Sequence, residues 1–195
     1  MAASIKEFTS SGLLSSERGD GFVFGVLKQN NETGKVELDV ERNRDLVALA
    51  TASTSSSSNS EREGGLGFKC VLHRAVDDLL TGAETGVRVG RVMEEVRKCG
   101  FDGVLTSGGR GRAADNIASL KEAVGVAERE GVEVIVGGGV RRGNLRGLMD
   151  GLRGEGGLGQ GAWFHSSCLD NEERFDEKEA AGLAEEMSDM RWVLS

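Results

Sequence analysis

The sequence predicts an α/β protein built from consecutive strand–helix units around a parallel sheet. Three observations carry this. Short apolar runs rich in Val, Ile and Phe recur along the chain. Amphipathic stretches of helical period separate them. Glycine-rich turns join the two, with thirty glycines and no proline in the chain. Such alternation implies parallel strands joined by right-handed crossovers. A complete (β/α) barrel needs roughly 250 residues, and this chain has 195. The expectation is therefore a partial barrel, read as one domain over residues 1–195.

The segment Met1–Arg18 places Ile5, Phe8 and Leu13 at loosely helical spacing. Gly21–Leu27 is a continuous apolar run, as suits a strand buried on both faces. Lys28–Gly34 reads as a polar turn. Asp39 stands where an N-cap belongs, ahead of Val40, Leu46, Val47, Leu49 and Ala50. Thr51–Gly67 is low-complexity serine followed by charge and glycine. It has nothing to bury and is expected to be a flexible insertion.

Four more strands are expected at Phe68–His73, Asp102–Thr106, Val132–Val136 and Ala162–His165. The helix after the first carries Val89, Val92, Met93, Val96 and Cys99 on one face, closed by Gly100. The next carries Ile117, Leu120, Val124 and Ala127. Asn144 is placed as the cap of a helix with Leu145, Leu148, Met149 and Leu152. A last helix holds Ala180, Leu183, Ala184 and Met187.

Composition narrows the function. A net charge of −8 argues against a nucleic-acid partner, since phosphate backbones need a basic surface. No apolar run approaches the ~20 residues that span a bilayer. Cys70, Cys99 and Cys168 form no C-x-x-C pair, which excludes a zinc ribbon. An odd number of scattered thiols without a signal peptide fits the cytosol or nucleus. Strand alternation puts Cys70 and Leu72 on one side, Val71 and His73 on the other. Cys70 and His73 then share no ligand, and only Cys168 lies near the functional edge.

In parallel βα sheets, ligands collect beyond the carboxyl ends of the strands. Both histidines of the chain fall there. His73, Arg74 and Asp77 follow one strand. They read either as ligand-contacting groups or as an ion pair closing the turn. Ser107 and Gly108 follow the next, in a hydroxyl-and-glycine turn that also suits capping. Arg110 and Arg112 beside it are anion contacts or simply solvated. Gly137, Gly138 and Gly139 let backbone N–H groups approach an anion, and the following helix N-terminus adds favourable charge. Tight packing is the alternative reading of those glycines. His165 and Ser166 follow the last strand, where a hydroxyl next to the glycine turn can bind phosphate.

Taken in order, Phe22-Val-Phe-Gly-Val-Leu27, His73-Arg-Ala-Val-Asp77, Leu105-Thr-Ser-Gly108, Gly137-Gly-Gly-Val140 and Phe164-His-Ser-Ser167 resemble the later motifs of the CutC copper-homeostasis family. The resemblance implies a TIM-type barrel, here its parallel strands 4 to 8 with the first strands missing. It also implies a cytoplasmic setting and copper as the ion bound or distributed. Val76 departs from the family's usual aromatic residue, and the serine-rich segment replaces a family loop. The early cysteine-bearing strand has no counterpart, so no metal ligand and no catalytic residue is carried over. The bound species is then copper or a small anion. Two alternatives remain: a barrel enzyme acting on a phosphorylated metabolite, with His73 as acid–base, and a fragment without function of its own.

An incomplete ring leaves two sheet edges unpaired. The expectation is a truncated product, or association with another copy. Size-exclusion chromatography and a thermal melt check it, and a sharply melting monomer counts against it.

Overall fold

The computed structural model describes residues 1–52, 67–81, 85–153 and 162–191. Helix α1 spans Ala2–Ser10, and strand β1 spans Gly21–Phe24. A ribbon of β2 (Leu27–Gln29) and β3 (Val36–Leu38) leads into α2 (Val40–Thr51). Then come β4 (Lys69–Leu72), the short α3 (Val76–Leu80) and α4 (Thr85–Cys99). Strand β5 (Gly103–Thr106) is followed by a 3-10 turn (Ala113–Asp115) and α5 (Ile117–Glu130). The chain continues through β6 (Glu133–Val136), α6 (Arg142–Leu152), β7 (Ala162–Phe164) and α7 (Glu177–Arg191).

Five strands form one parallel sheet in the order β1-β4-β5-β6-β7, as a partial TIM-type barrel requires. The register lines up Phe24, Leu72, Val104, Val134 and Ala162 across the sheet. All but Ala162 of that row are buried, in one cluster with Leu46, Val96, Leu120 and Leu145 from the helices. Pleating sends the alternate residues to the other face. There Val23 is 60% exposed and Trp163 52% exposed, while Val71, Leu105 and Ile135 are half-buried. One sheet face thus carries the core, and the other, the barrel's inner face, is partly exposed among the described residues. No helix among the described residues is long and apolar enough to cross a membrane.

Local chemistry sets the element ends. The Asp39 carboxylate accepts the Arg42 N–H at 3.2 Å, capping α2 as expected. Gly100 closes α4 at φ 85°, a left-handed conformation that costs a side-chain-bearing residue more than glycine.

Several expectations need correction. The apolar run from Gly21 does not stay one strand to Leu27. It breaks at Gly25, and β2 then pairs antiparallel with β3. The cause lies in Asn30, whose side-chain oxygen accepts the N–H groups of Glu32 and Thr33. That turn folds the chain back, so the presumed polar turn is the tip of a hairpin. Of the three apolar residues expected on α1, only Ile5 is buried; Phe8 and Leu13 are exposed. Asn144 is not the first cap of α6. It sits in the first turn and reaches back, accepting the Arg141 N–H at 2.9 Å. The serine-rich insertion lies outside the described residues except for Thr51, Ala52 and Gly67. Thr51 is helical, extending α2 one residue past the expected end.

Leu145 on α6 is fully buried. Leu145→Ala is expected to cost about 3 kcal/mol, the usual size for a core leucine. Urea unfolding checks this as a lower midpoint at unchanged slope.

Candidate functional site

The site is built outward from the carboxyl end of β4. His73 prolongs the strand pairing, its N–H donating to the Phe24 carbonyl at 3.0 Å. The chain then turns helically: the Val76 N–H donates to the His73 carbonyl and the Asp77 N–H to the Arg74 carbonyl. The Ala75 N–H donates to His73 Nδ1 at 3.2 Å, so that nitrogen is the acceptor and Nε2 carries the proton.

This turn drives Asp77 inward against the end of β5, where it is only 6% exposed. Its Oδ1 accepts the Thr106 hydroxyl at 2.5 Å and the Ser107 N–H at 3.0 Å. Its Oδ2 accepts the Ser107 hydroxyl at 2.7 Å and Arg74 Nε at 3.0 Å. Arg74 Nη2 donates to Ser107 Oγ at 2.8 Å and to the Gly111 carbonyl at 3.3 Å. A buried carboxylate demands such partners. In return it fixes an arginine whose side chain remains 45% exposed at the sheet edge.

Arg74 lies across the turn after β6. A Cβ built on Gly138 would stand 3.1 Å from the Arg74 Cζ and 2.8 Å from the Ser107 Cβ. Gly138 and Gly139 both have positive φ, 89° and 85°. The N–H groups of Gly138, Gly139 and Val140 donate to no acceptor among the described residues. The Arg112 stem packs beside Gly139, and the Ala113 N–H donates to the Gly138 carbonyl at 2.9 Å. On the far side, Arg141 Nη1 donates to Ser166 Oγ and to the Val140 carbonyl, both at 2.9 Å. Three arginines therefore ring a turn of undonated N–H groups.

The structure brings Arg74, Asp77, Ser107, Gly138 and Gly139 together as one group. It turns some expected ligand contacts inward. Asp77 and Ser107 are buried in mutual hydrogen bonds and support Arg74 rather than face solvent. Gly108 is buried, its N–H held by Thr106 Oγ1 at 2.8 Å, and a Cβ there would lie 2.7 Å from Leu120. Ser166 donates its hydroxyl proton to the Val140 carbonyl at 2.8 Å. The α6 N-terminus, expected to attract a ligand anion, is already served from within. Asn144 takes the Arg141 N–H, and the Glu179 carboxylate takes the Arg142 N–H at 2.7 Å.

His73 and His165 share the carboxyl edge, but β5 and β6 lie between β4 and β7. Three strand spacings put them roughly 14 Å apart along the sheet, too far for one ligand atom. Arg141 was missed by motif reading. Its signal was a basic residue placed directly after the glycine turn, where any bound anion would meet it.

The thiols do not fit a closed copper site. Cys70 and Cys99 point into the helix-side core. Burial pushes the Cys70 thiol up to about 12, with the nearby Asp102 charge adding to it. Burial likewise pushes Cys99 up to about 11. Both stay protonated at neutral pH, whereas a soft metal binds the thiolate. Among the described residues, no three His, Cys, Asp or Glu side chains come together as metal ligands.

A five-stranded parallel βα sheet with its helices packed on one face is the arrangement of a partial barrel of the (β/α) class. Within that class, the CutC family model matches residues 14–155, most of the chain, and the chain belongs to the CutC family. The match includes Arg74, Asp77, Ser107 and the glycine turn, while His165 and Ser166 lie beyond it. No curated protein sequence matches the chain.

Asp77→Asn removes the charge that holds Arg74 and both hydroxyls. Hydrogen bonds to a charged group contribute about 1.5–3 kcal/mol, so a loss of that size is expected. Chemical denaturation measures it, and wild-type stability in the variant would contradict the clamp.

Proposed function

We propose that this chain serves copper homeostasis, as its family does, by binding a small phosphate- or carboxylate-bearing anion at the rim. One observation carries the reading. Arg74 is clamped by Asp77 and Ser107 and laid across Gly138, beside undonated backbone N–H groups. A guanidinium held in this way loses little freedom on meeting an oxyanion, and its Nη1 N–H groups donate to no acceptor among the described residues. Arg112 and Arg141 add positive charge on either side of the glycine turn. The net charge of the whole chain is negative, so the rim's charge is local.

Copper enters this reading as cargo or as the regulated species. Its ligands are not drawn from Cys70 or Cys99, which the core keeps protonated. Cys168 and His165 are a thiol and an imidazole beyond the carboxyl end of β7. The cytosol, where thiols stay reduced, suits three free cysteines.

A second reading, turnover of a phosphorylated metabolite, has one observation in its favour. His73 accepts at Nδ1, which directs its Nε2 proton away from the turn for general acid work.

Inorganic phosphate is expected to raise the melting temperature. At ten times Kd the gain is about 1.4 kcal/mol, a few degrees for a domain of this size. Arg74→Ala and Gly139→Asp are each expected to abolish that rise. A rise that survives both substitutions removes the rim as the binding site. Titration of the reduced protein with Cu(I) is expected to show weaker binding for Cys168→Ala and His165→Ala than for wild type. An affinity unchanged in both variants removes copper from the rim.

A further inference from the structure

We infer that the rim ligand is amphipathic: an anionic head at the glycine turn joined to an apolar, ring-sized body lying on the partly exposed inner face of the sheet. This rests on the anion reading above and adds the chemical class of the rest of the molecule.

The register places Leu105, Ile135 and Trp163 side by side across β5, β6 and β7. Two residues further along their strands come Gly137 and His165, on the same face and at the rim. The Gly137 N–H donates to the Thr106 carbonyl and the His165 N–H to the Val136 carbonyl, both at 2.8 Å, so the pairing continues to that level. A Cβ on Gly137 would stand 2.8 Å from Leu105 Cδ1 and 3.8 Å from His165 Nδ1. Leu105 therefore leans up over a residue without a side chain. The apolar strip of Trp163, Ile135 and Leu105 runs unbroken to Gly137, and the next residue is Gly138 under Arg74.

The two ends of this strip differ in chemistry. At the top, Arg74, Arg112 and Arg141 attract an oxyanion. Below, Trp163 presents half its surface to solvent, on the sheet face opposite the helix-packed core. An exposed tryptophan offers a flat apolar surface with an N–H at its edge, suited to stacking on a ring. A purely hydrophilic anion would use only the upper part, and an uncharged apolar molecule only the lower. A molecule with both parts uses the whole surface and leaves neither the guanidinium groups nor the tryptophan unmatched.

The probes are inorganic phosphate, phenyl phosphate and phenol, each titrated into the full chain by calorimetry, with tryptophan fluorescence alongside. Phenyl phosphate is expected to bind about ten-fold tighter than inorganic phosphate, the gain from one stacked ring. It is expected to change the emission of wild type. Trp163→Ala should remove the ten-fold advantage and leave inorganic phosphate binding intact, while Trp163→Phe should restore most of it. Equal affinity for the two phosphates overturns this inference and leaves the anion reading standing. Binding of neither phosphate overturns both. Phenol binding as tightly as phenyl phosphate overturns the amphipathic assignment, since the head would then contribute nothing. A dimer in which Trp163 is already shielded from iodide quenching overturns it as well, because a second copy would cover the face.

Discussion

The buried carboxylate of Asp77 is the constraint on which the rim depends. A charge that far from solvent is tolerated only when donors surround it. Here the donors come from two neighbouring strand ends: Arg74 from the turn after β4, Thr106 and Ser107 from the end of β5. One side chain thus locks two βα turns into a fixed relation. The rigidity passes to Arg74, which would otherwise be a long, mobile side chain at a sheet edge. From Arg74 it passes to the glycine turn after β6, because the guanidinium occupies the space a side chain on Gly138 would need.

The two faces of the sheet differ in chemistry. The row of Phe24, Leu72, Val104 and Val134 packs against the helices and holds the fold together. Cys70 shares that side, which explains its raised thiol and its unsuitability for a soft metal. The alternate residues form the inner face, whose charged members Lys69 and Glu133 pair across strand β5 at 2.9 Å. Gly103, between them, has no side chain to intervene. The pair is solvent-exposed, so its contribution to stability is small. Above it the inner face is apolar up to the arginine-bearing rim, and this gradient suggests the kind of molecule that would lie there.

Much of this was legible in the order of residues. Periodicity marked the five parallel strands and the main helices, because burial on one face repeats at the period of the backbone. Asp39 and Gly100 announced helix ends through side-chain chemistry that acts over a few residues. The motifs at His73–Asp77 and Gly137–Val140 marked the rim, since residues at equivalent strand ends are neighbours once the sheet is parallel. The hairpin at Leu27–Leu38 was not legible. An apolar run does not say where pairing changes partner, and the Asn30 turn decides that.

By itself, then, the sequence determined the five strands of the main sheet, that they run parallel, which edge gathers the polar groups, and the family. These follow from local periodicity and short motifs. Only the tertiary structure decided which groups at that edge are buried and which stay exposed. Asp77, Ser107 and Gly108 turn inward, Glu179 from a distant helix takes the α6 N-terminus, and Arg141 joins the rim. The physical reason is that hydrogen-bond partners are chosen by proximity in space. Ser107 is thirty residues from Asp77, and Glu179 is thirty-seven from Arg142. No pattern within one segment encodes separations of that length.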